Sequence, residues 1–159
     1  MYSKLKSLMK ALGSLSILAL VPVAQADDDY RLRIDKLPAY QQECSACHLA
    51  YPPALLPAQS WKRIMSNLGN HYGIDASLDD ATVNQISIWL LSNAGGHKAA
   101  RSAPDQDRIT ESAWFKRKHD EIDTQIWLRP KIKSPANCAA CHTQADRGDF
   151  EDDNVRIPR

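Results

Sequence analysis

The cysteines of this 159-residue chain all belong to two copies of the motif Cys-x-x-Cys-His, CSACH at residues 44–48 and CAACH at residues 138–142. Two thiols at this spacing, followed directly by a histidine, form the signature of covalent c-type haem attachment. The thiols bond to the vinyl groups of the haem, and the histidine is held beneath the iron as its proximal ligand. The sequence therefore predicts thioether bonds at Cys44, Cys47, Cys138 and Cys141, and iron ligation by His48 and His142.

Other uses of paired cysteines fit the sequence less well. A zinc ribbon usually separates its two cysteine pairs by roughly 15–20 residues. Here the first pair ends at Cys47 and the second begins at Cys138, a far longer separation. A redox-active dithiol is expected once, near a strand–helix–strand pattern that this sequence lacks. Structural disulfides within each motif would leave the adjacent histidines without a role. We therefore expect two covalently bound haem c groups.

Residues 1–26 have the pattern of a secretory signal peptide. Lysines come first, residues 15–23 are apolar, and AQA at 24–26 is a small-residue cleavage site. The apolar run is shorter than the roughly 20 residues that span a bilayer. We expect the mature chain to begin near Asp27 and to lie in a bacterial periplasm, because this type of haem attachment takes place outside the cytoplasm.

The charge of the chain does not favour nucleic acid as a partner. The formal net charge of the full sequence is +1, and removing the three lysines of the leader leaves −2 on the mature chain. The sequence has no basic patch with interleaved aromatic residues, so a nucleic-acid binder is not expected.

The pattern of apolar residues predicts a mostly α fold with long loops. Ser60 is predicted to cap a helix over residues 61–68 with one buried stripe. SLDD at residues 77–80 resembles a capping box and predicts a second helix that stops at Gly95 and Gly96. Residues 93–107 are predicted to link the two halves of the chain.

The second half is less regular. Thr110 is predicted to cap a short helix that carries Phe115 and His119 on one face. The Ser134-Pro135 pair is a helix start signal, and a helix is predicted there to present the second haem motif.

The sixth ligand of each iron is predicted to be a histidine. The only methionine of the mature chain, Met65, lies on the apolar stripe of a predicted helix, where core packing is the expected role. Outside the motifs, the histidines are His71, His97 and His119. His71, in a loop between two predicted helices, is favoured for the first haem, and His119 for the second. His97 follows two glycines and is expected to be solvated, although its replacing His119 as a ligand stays open.

Four segments of the sequence resemble a known family, the dihaem cytochromes c of bacterial electron-transfer chains. The resemblance runs through ECSACH (43–48), SWKRIMSNLGNHYGIDASL (60–78), ITESAWFKRKHDEI (109–122) and SPANCAACHTQADRGDFED (134–152). It implies a class I cytochrome c-like haem domain over residues 27–96, and a linker with a loop-rich second haem region over residues 97–159. It also implies that His48 and His71 ligate the first iron, and His119 and His142 the second. The partners it implies are a small monohaem cytochrome that binds oxygen and membrane b-type cytochromes.

Bis-histidine ligation determines the expected activity. Two imidazoles keep an iron six-coordinate and low-spin, which leaves no position for a substrate and favours outer-sphere electron transfer at low potential. We therefore expect a periplasmic electron relay between redox proteins and no enzymatic activity. The alternative is a haem enzyme or gas sensor, in which His71 or His119 leaves its iron to admit a ligand.

Overall fold

The computed structural model describes Leu32 and residues 36–159, and the predicted signal peptide lies outside these residues. The α-helices of the described part are α1 (Pro38–Cys44), α2 (Ala58–Met65), α3 (Asp80–Asn93), α4 (Ala113–Lys118) and α5 (Thr124–Trp127). Single 3₁₀ turns lie between and after them: Pro53–Leu55, Leu68–Asn70, Lys98–Ala100, Asp105–Asp107, Ile109–Glu111, Cys138–Ala140, Ala145–Arg147 and Asp152–Asn154. Among these residues there is no sheet, only isolated bridges that pair His71 with Ile74 and His142 with Val155. The expected mostly α fold is confirmed. No helix within residues 36–159 has the length and apolar character that crossing a membrane requires.

Helix α2 differs from the predicted helix at both ends. It begins at Ala58, because Pro57 in an extended conformation opens the first turn, and Ser60 is fully buried instead of acting as the cap. It ends at Met65, and Leu68 lies in a separate 3₁₀ turn. The intervening Asn67 has a φ of −135°, which is not helical, and asparagine favours such turn positions through local hydrogen bonds.

Helix α3 is the longest helix of the described part and was predicted nearly in full. Its N-cap is Asp79 and not Ser77: the Asp79 carboxylate accepts hydrogen bonds from the Thr82 backbone N–H (3.0 Å) and the Thr82 hydroxyl (2.7 Å). The helix ends at Asn93, and Gly95 and Gly96 follow with left-handed φ values of 73° and 79°. Glycine adopts this conformation without steric cost, so the predicted stop signal acts as expected.

The main core forms where α2 packs on α3. Its buried residues are Tyr40, Ala50, Leu56, Trp61, Met65, Ile86 and Leu90. The indole N–H of Trp61 donates to the Pro53 carbonyl (2.8 Å), which satisfies its polar atom inside the core. The predicted packing role of Met65 is confirmed.

The helices of the second half differ from those predicted, and α5 was not expected. Ser112, not Thr110, caps α4, because its hydroxyl accepts the Phe115 N–H at 3.1 Å. No α-helix follows Ser134-Pro135; the Ser134 hydroxyl instead accepts the Ala136 N–H in a tight turn (3.1 Å). The second motif therefore lies on a single 3₁₀ turn, Cys138–Ala140.

Candidate haem-binding sites

The first motif begins at the end of α1 and turns away from it. Cys44 is the last residue of α1, and His48 follows in an irregular segment. The Nδ1 atom of His48 lies 2.7 Å from the Leu49 carbonyl. Because a carbonyl can only accept a hydrogen bond, Nδ1 carries the proton and Nε2 keeps a free lone pair for a metal. The imidazole of His48 faces that of His71, with ring centroids 6.1 Å apart and planes inclined by 26°.

A tight turn after α2 holds His71. Its backbone N–H donates to Ile74 O (2.8 Å), and the Ile74 N–H returns a bond to His71 O (3.2 Å). Between them, Tyr72 and Gly73 both have positive φ, 53° and 94°. For tyrosine this conformation is strained, so contacts elsewhere must stabilise the turn.

These stabilising contacts come from residues 106–108. The Tyr72 hydroxyl donates to the Gln106 carbonyl (3.0 Å), and the Arg108 guanidinium lies 4.2 Å from the centre of the Tyr72 ring. Beside them, Arg63 of α2 makes a bidentate ion pair with Asp107, at 2.6 and 2.8 Å. The segment that links the two halves therefore braces the turn that holds His71.

The second motif is held by backbone hydrogen bonds. The N–H of His142 donates to Cys138 O (2.8 Å), and the N–H of Arg156 donates to Cys141 O (2.8 Å). Together with the bridge between His142 and Val155, these bonds place the C-terminal segment across the motif. The ring of Phe150 lies 5.3 Å from the imidazole of His142.

His119 approaches His142 from the end of α4. It is the first residue after the helix, and its Nδ1 lies 3.0 Å from the Phe115 carbonyl, so its Nε2 is also free. Its ring stacks on that of Phe115 (4.0 Å, 19°) and contacts Trp127 (5.9 Å). The centroids of His119 and His142 are 6.1 Å apart, with planes inclined by 74°.

The spacing within both histidine pairs fits one metal ion between the two rings. A metal–imidazole bond of about 2.0–2.1 Å on each side places the ring centroids about 6 Å apart. Both observed separations are 6.1 Å. The structure thus brings together His48 with His71 and His119 with His142, which are the pairs implied by the sequence resemblance.

An apolar cavity of about 850 Å³ adjoins the first pair. Cys44, Cys47, His48 and His71 line it, together with apolar side chains that include Trp61, Met65 and Leu90. Cys138, from the second motif, also lines it. This volume and lining suit a large flat apolar cofactor whose attachment thiols and axial imidazoles lie at the wall.

The pKa values of Cys44 and Cys138 argue against a metal-thiolate or redox site. Burial, with a smaller contribution from Glu43, raises the pKa of Cys44 to about 11, and burial raises that of Cys138 to about 11. Redox-active and metal-binding thiols have lowered pKa values instead. All four cysteines are unpaired, so the disulfide alternative is wrong. Within the described residues, no cluster of three or more His, Cys, Asp or Glu side chains could hold a metal ion, so the zinc alternative has no site there.

The expected solvation of His97 is wrong. This residue is 4% exposed, its Nδ1 accepts the Ala99 N–H (3.1 Å), and its ring meets Trp114 edge-on at 4.9 Å. The Nδ1 atom of His97 provides the buried Ala99 N–H with a hydrogen-bond acceptor, so this imidazole has a polar partner inside the protein.

Sequence reasoning missed several aromatic residues that surround the imidazoles. Tyr51 stacks on His48 (4.9 Å, 21°), Trp127 contacts His119, and Phe150 contacts His142. The available signal was proximity in sequence, since Tyr51 and Phe150 each follow shortly after a haem motif.

The chain is similar to proteins of known type. Residues 40–150 match the family model of dihaem cytochrome c. The solved structure of a diheme cytochrome c from Rhodobacter sphaeroides is 48% identical, with 74% of this chain and 98% of that chain covered and a TM-score of 0.66. A diheme cytochrome c from Shewanella baltica OS155 is 40% identical, with 79% of this chain and 95% of that chain covered and a TM-score of 0.69. No curated protein sequence matches the chain.

Proposed function

Because this chain belongs to the dihaem cytochrome c family and is an electron-transfer haem protein, we propose that it is a low-potential relay that passes electrons between redox proteins. It carries two covalently bound haem c groups. Each haem supplies one-electron chemistry, with its iron alternating between the ferric and ferrous states.

The proposed ligands are the two facing imidazole pairs. His48 and His71 bind the first iron, and His119 and His142 bind the second. Cys44 and Cys47 form the thioether bonds of the first haem, and Cys138 and Cys141 those of the second. The separation of 6.1 Å within both pairs is the observation that carries this proposal.

The chain contributes orientation and tuning. At His48 and His119 a backbone carbonyl accepts the Nδ1 proton, which fixes the tautomer and leaves Nε2 free to bind an iron. Two imidazoles leave no open coordination position, so electrons pass without a bond to a substrate. Because Met65 is in the core, neither iron has a methionine ligand in this proposal, and methionine raises the potential relative to histidine. These features support a low-potential carrier.

The proposed location is the bacterial periplasm, and the proposed partners are a small monohaem cytochrome and a membrane b-type cytochrome. The leader pattern of residues 1–26 supports the location. The resemblance of the motif segments to the family supports the partners.

Optical and EPR spectra of the exported protein test the proposed ligation. We expect absorption spectra of two low-spin haems that carbon monoxide does not change in the reduced state. We also expect two distinct low-spin EPR signals. Imidazole planes inclined by 26° split the iron d orbitals into a rhombic pattern, whereas planes inclined by 74° keep two orbitals nearly degenerate and give a strongly anisotropic signal. Carbon monoxide binding at either iron would contradict the relay and favour the haem enzyme or gas sensor.

A further inference from the structure

Tyr51 connects the first haem site to the second. It follows the first motif closely, and its ring lies parallel to the imidazole of His48, with centroids 4.9 Å apart and planes inclined by 21°. This stack restricts the rotation of the His48 ring about its side-chain bonds.

The hydroxyl of Tyr51 reaches the other half of the chain. It donates a 2.7 Å hydrogen bond to the carbonyl of Ala136, which is 85 positions away in sequence and lies two residues before Cys138 of the second motif. Tyr51, Ala136 and Cys138 all line the cavity beside His48. The approach to the second motif is therefore part of the wall of the first haem site.

The helical core fixes the position of Tyr51. The hydroxyl of Tyr40 donates to the Tyr51 carbonyl (2.7 Å), and Tyr40 is 3% exposed. Its ring packs against Trp89 of α3 at 5.0 Å. Tyr51 is thus held to the helical core through its backbone carbonyl and to Ala136 through its hydroxyl.

We propose that Tyr51 is a positioning residue for electron exchange between the two haems, an inference that rests on the proposed function. Its ring sets the plane of His48, and its hydroxyl holds the segment of the second motif against the first site. With both haems bound, one electron would pass from the reduced iron to the oxidised iron, while the Tyr51 hydroxyl would keep its proton and its bond to Ala136. Tyr51 is not itself oxidised.

Two substitutions separate the roles of the ring and the hydroxyl. Tyr51→Phe keeps the stack on His48 and removes the bond to Ala136, whereas Tyr51→Leu removes both. Ser92→Ala is the control. The Ser92 hydroxyl also donates to a backbone carbonyl, that of Ile88 (2.8 Å), but this bond lies within α3 on an exposed residue that does not line the cavity beside His48.

The rate of exchange is measured by two-dimensional NMR exchange spectroscopy on half-reduced holoprotein, following the haem methyl resonances. The part of the rate that does not depend on protein concentration is the intramolecular exchange. We expect Tyr51→Phe to slow it severalfold with both low-spin EPR signals retained, and Ser92→Ala to leave it unchanged. We expect Tyr51→Leu to slow it as well and to change the EPR signal of the first haem, because the His48 plane is released.

Exchange in Tyr51→Phe as fast as in the unsubstituted protein, or equal slowing in Ser92→Ala, would overturn the proposal. If Tyr51→Phe takes up fewer than two haems, the proposal is tested on the unsubstituted, fully reduced protein instead. We expect its Tyr51 hydroxyl proton to exchange slowly with solvent and to show a nuclear Overhauser effect to the Ala136 region; rapid exchange without that effect contradicts the proposal. Carbon monoxide binding by the unsubstituted protein would contradict the proposed function, whereas normal exchange in a fully loaded, low-spin Tyr51→Phe protein would contradict this inference alone.

Discussion

The two candidate haem sites have histidine pairs of the same spacing but are built differently. The first lies against α1, α2 and α3, whose buried side chains form a continuous core. The second lies among the short helices α4 and α5 and single 3₁₀ turns. Its histidines contact Phe115, Trp127 and Phe150. The imidazole planes differ as well, 26° at the first site and 74° at the second.

This difference indicates what each site needs in order to form. A helix with a buried stripe gains most of its stability by packing against other helices, as α2 and α3 do. From residue 113 onward, few apolar side chains are fully buried, among them Ile132 and Ala145. The haem must supply much of the apolar contact at the second site, so that site is expected to depend on its cofactor more than the first.

The largest expected effect comes from removing the attachment thiols. In Cys138→Ser/Cys141→Ser, we expect the second haem to be lost and residues 113–159 to become sensitive to protease, while the first haem stays low-spin. In Cys44→Ser/Cys47→Ser, we expect the first half to keep more of its structure, including the helical far-UV signal of α2 and α3, than the second half keeps in Cys138→Ser/Cys141→Ser. Limited proteolysis with mass spectrometry, together with circular dichroism, measures both variants. Equal protection of the two halves in both variants would contradict the comparison.

The next largest effect is expected from replacing His71 or His119, which are proposed as the sixth ligands of the two irons. His71→Ala and His119→Ala are each expected to convert one of the two haems to a five-coordinate form that binds carbon monoxide. Added imidazole is expected to restore the low-spin spectrum more completely in His71→Ala, because His119→Ala also removes the stack on Phe115 and the bond to its carbonyl.

His97→Ala is the control for these two variants. Both haems are expected to remain low-spin, since the Nδ1 of His97 accepts the Ala99 N–H and its ring lies against Trp114. A high-spin haem in His97→Ala with a normal spectrum in His119→Ala would show that His97 is the ligand.

A smaller effect is expected at the helix caps. Ser112→Ala removes the cap of α4, and loss of a serine cap lowers the free energy of unfolding by about 1 kcal/mol. Asp79→Ala removes the cap of α3 but leaves that longer helix packed on α2. Denaturant titration followed at the haem absorption of each variant is expected to show a larger shift of midpoint for Ser112→Ala. The reverse order would mean that the second half does not rely on local contacts as described.

The smallest effect is expected at the ion pair between Arg63 and Asp107, near the first site. The hydrogen bond from Arg63 lowers the pKa of Asp107 below its ordinary value. Because the folded protein favours the ionised carboxylate, the pair contributes stability above about pH 4, the unfolded pKa, and this is lost as the pH falls through the lower folded pKa. Asp107→Asn is expected to flatten slightly the pH dependence of the denaturation midpoint in this acidic range, by little because the Arg63 side of the pair is open to solvent, which screens it. A steeper dependence in Asp107→Asn would contradict this.

The sequence predicted the first half better than the second. Helix α3 and the buried stripe of α2 depend on local periodicity, which a single sequence displays. The helix predicted after Ser134-Pro135 does not form, because that segment is positioned by the distant bond from Tyr51 and by the backbone bond from Arg156 to Cys141. Such long-range contacts leave no local pattern. At α3 and α4 the caps were misplaced by two residues, because several Ser, Thr and Asp residues compete near each of these starts. At α2 the first turn opens at Pro57, three residues before the predicted cap Ser60.

The segment across the second motif also affects the order in which the protein is completed. Synthesis from the N-terminus makes Cys138 and Cys141 before Val155 and Arg156, whose backbones pair with His142 and Cys141. The motif is therefore made before the segment that braces it, and we expect haem attachment to be easiest before that pairing forms. A peptide tag fused after Arg159 is expected to disturb haem attachment more than one placed at the predicted start of the mature chain, near Asp27.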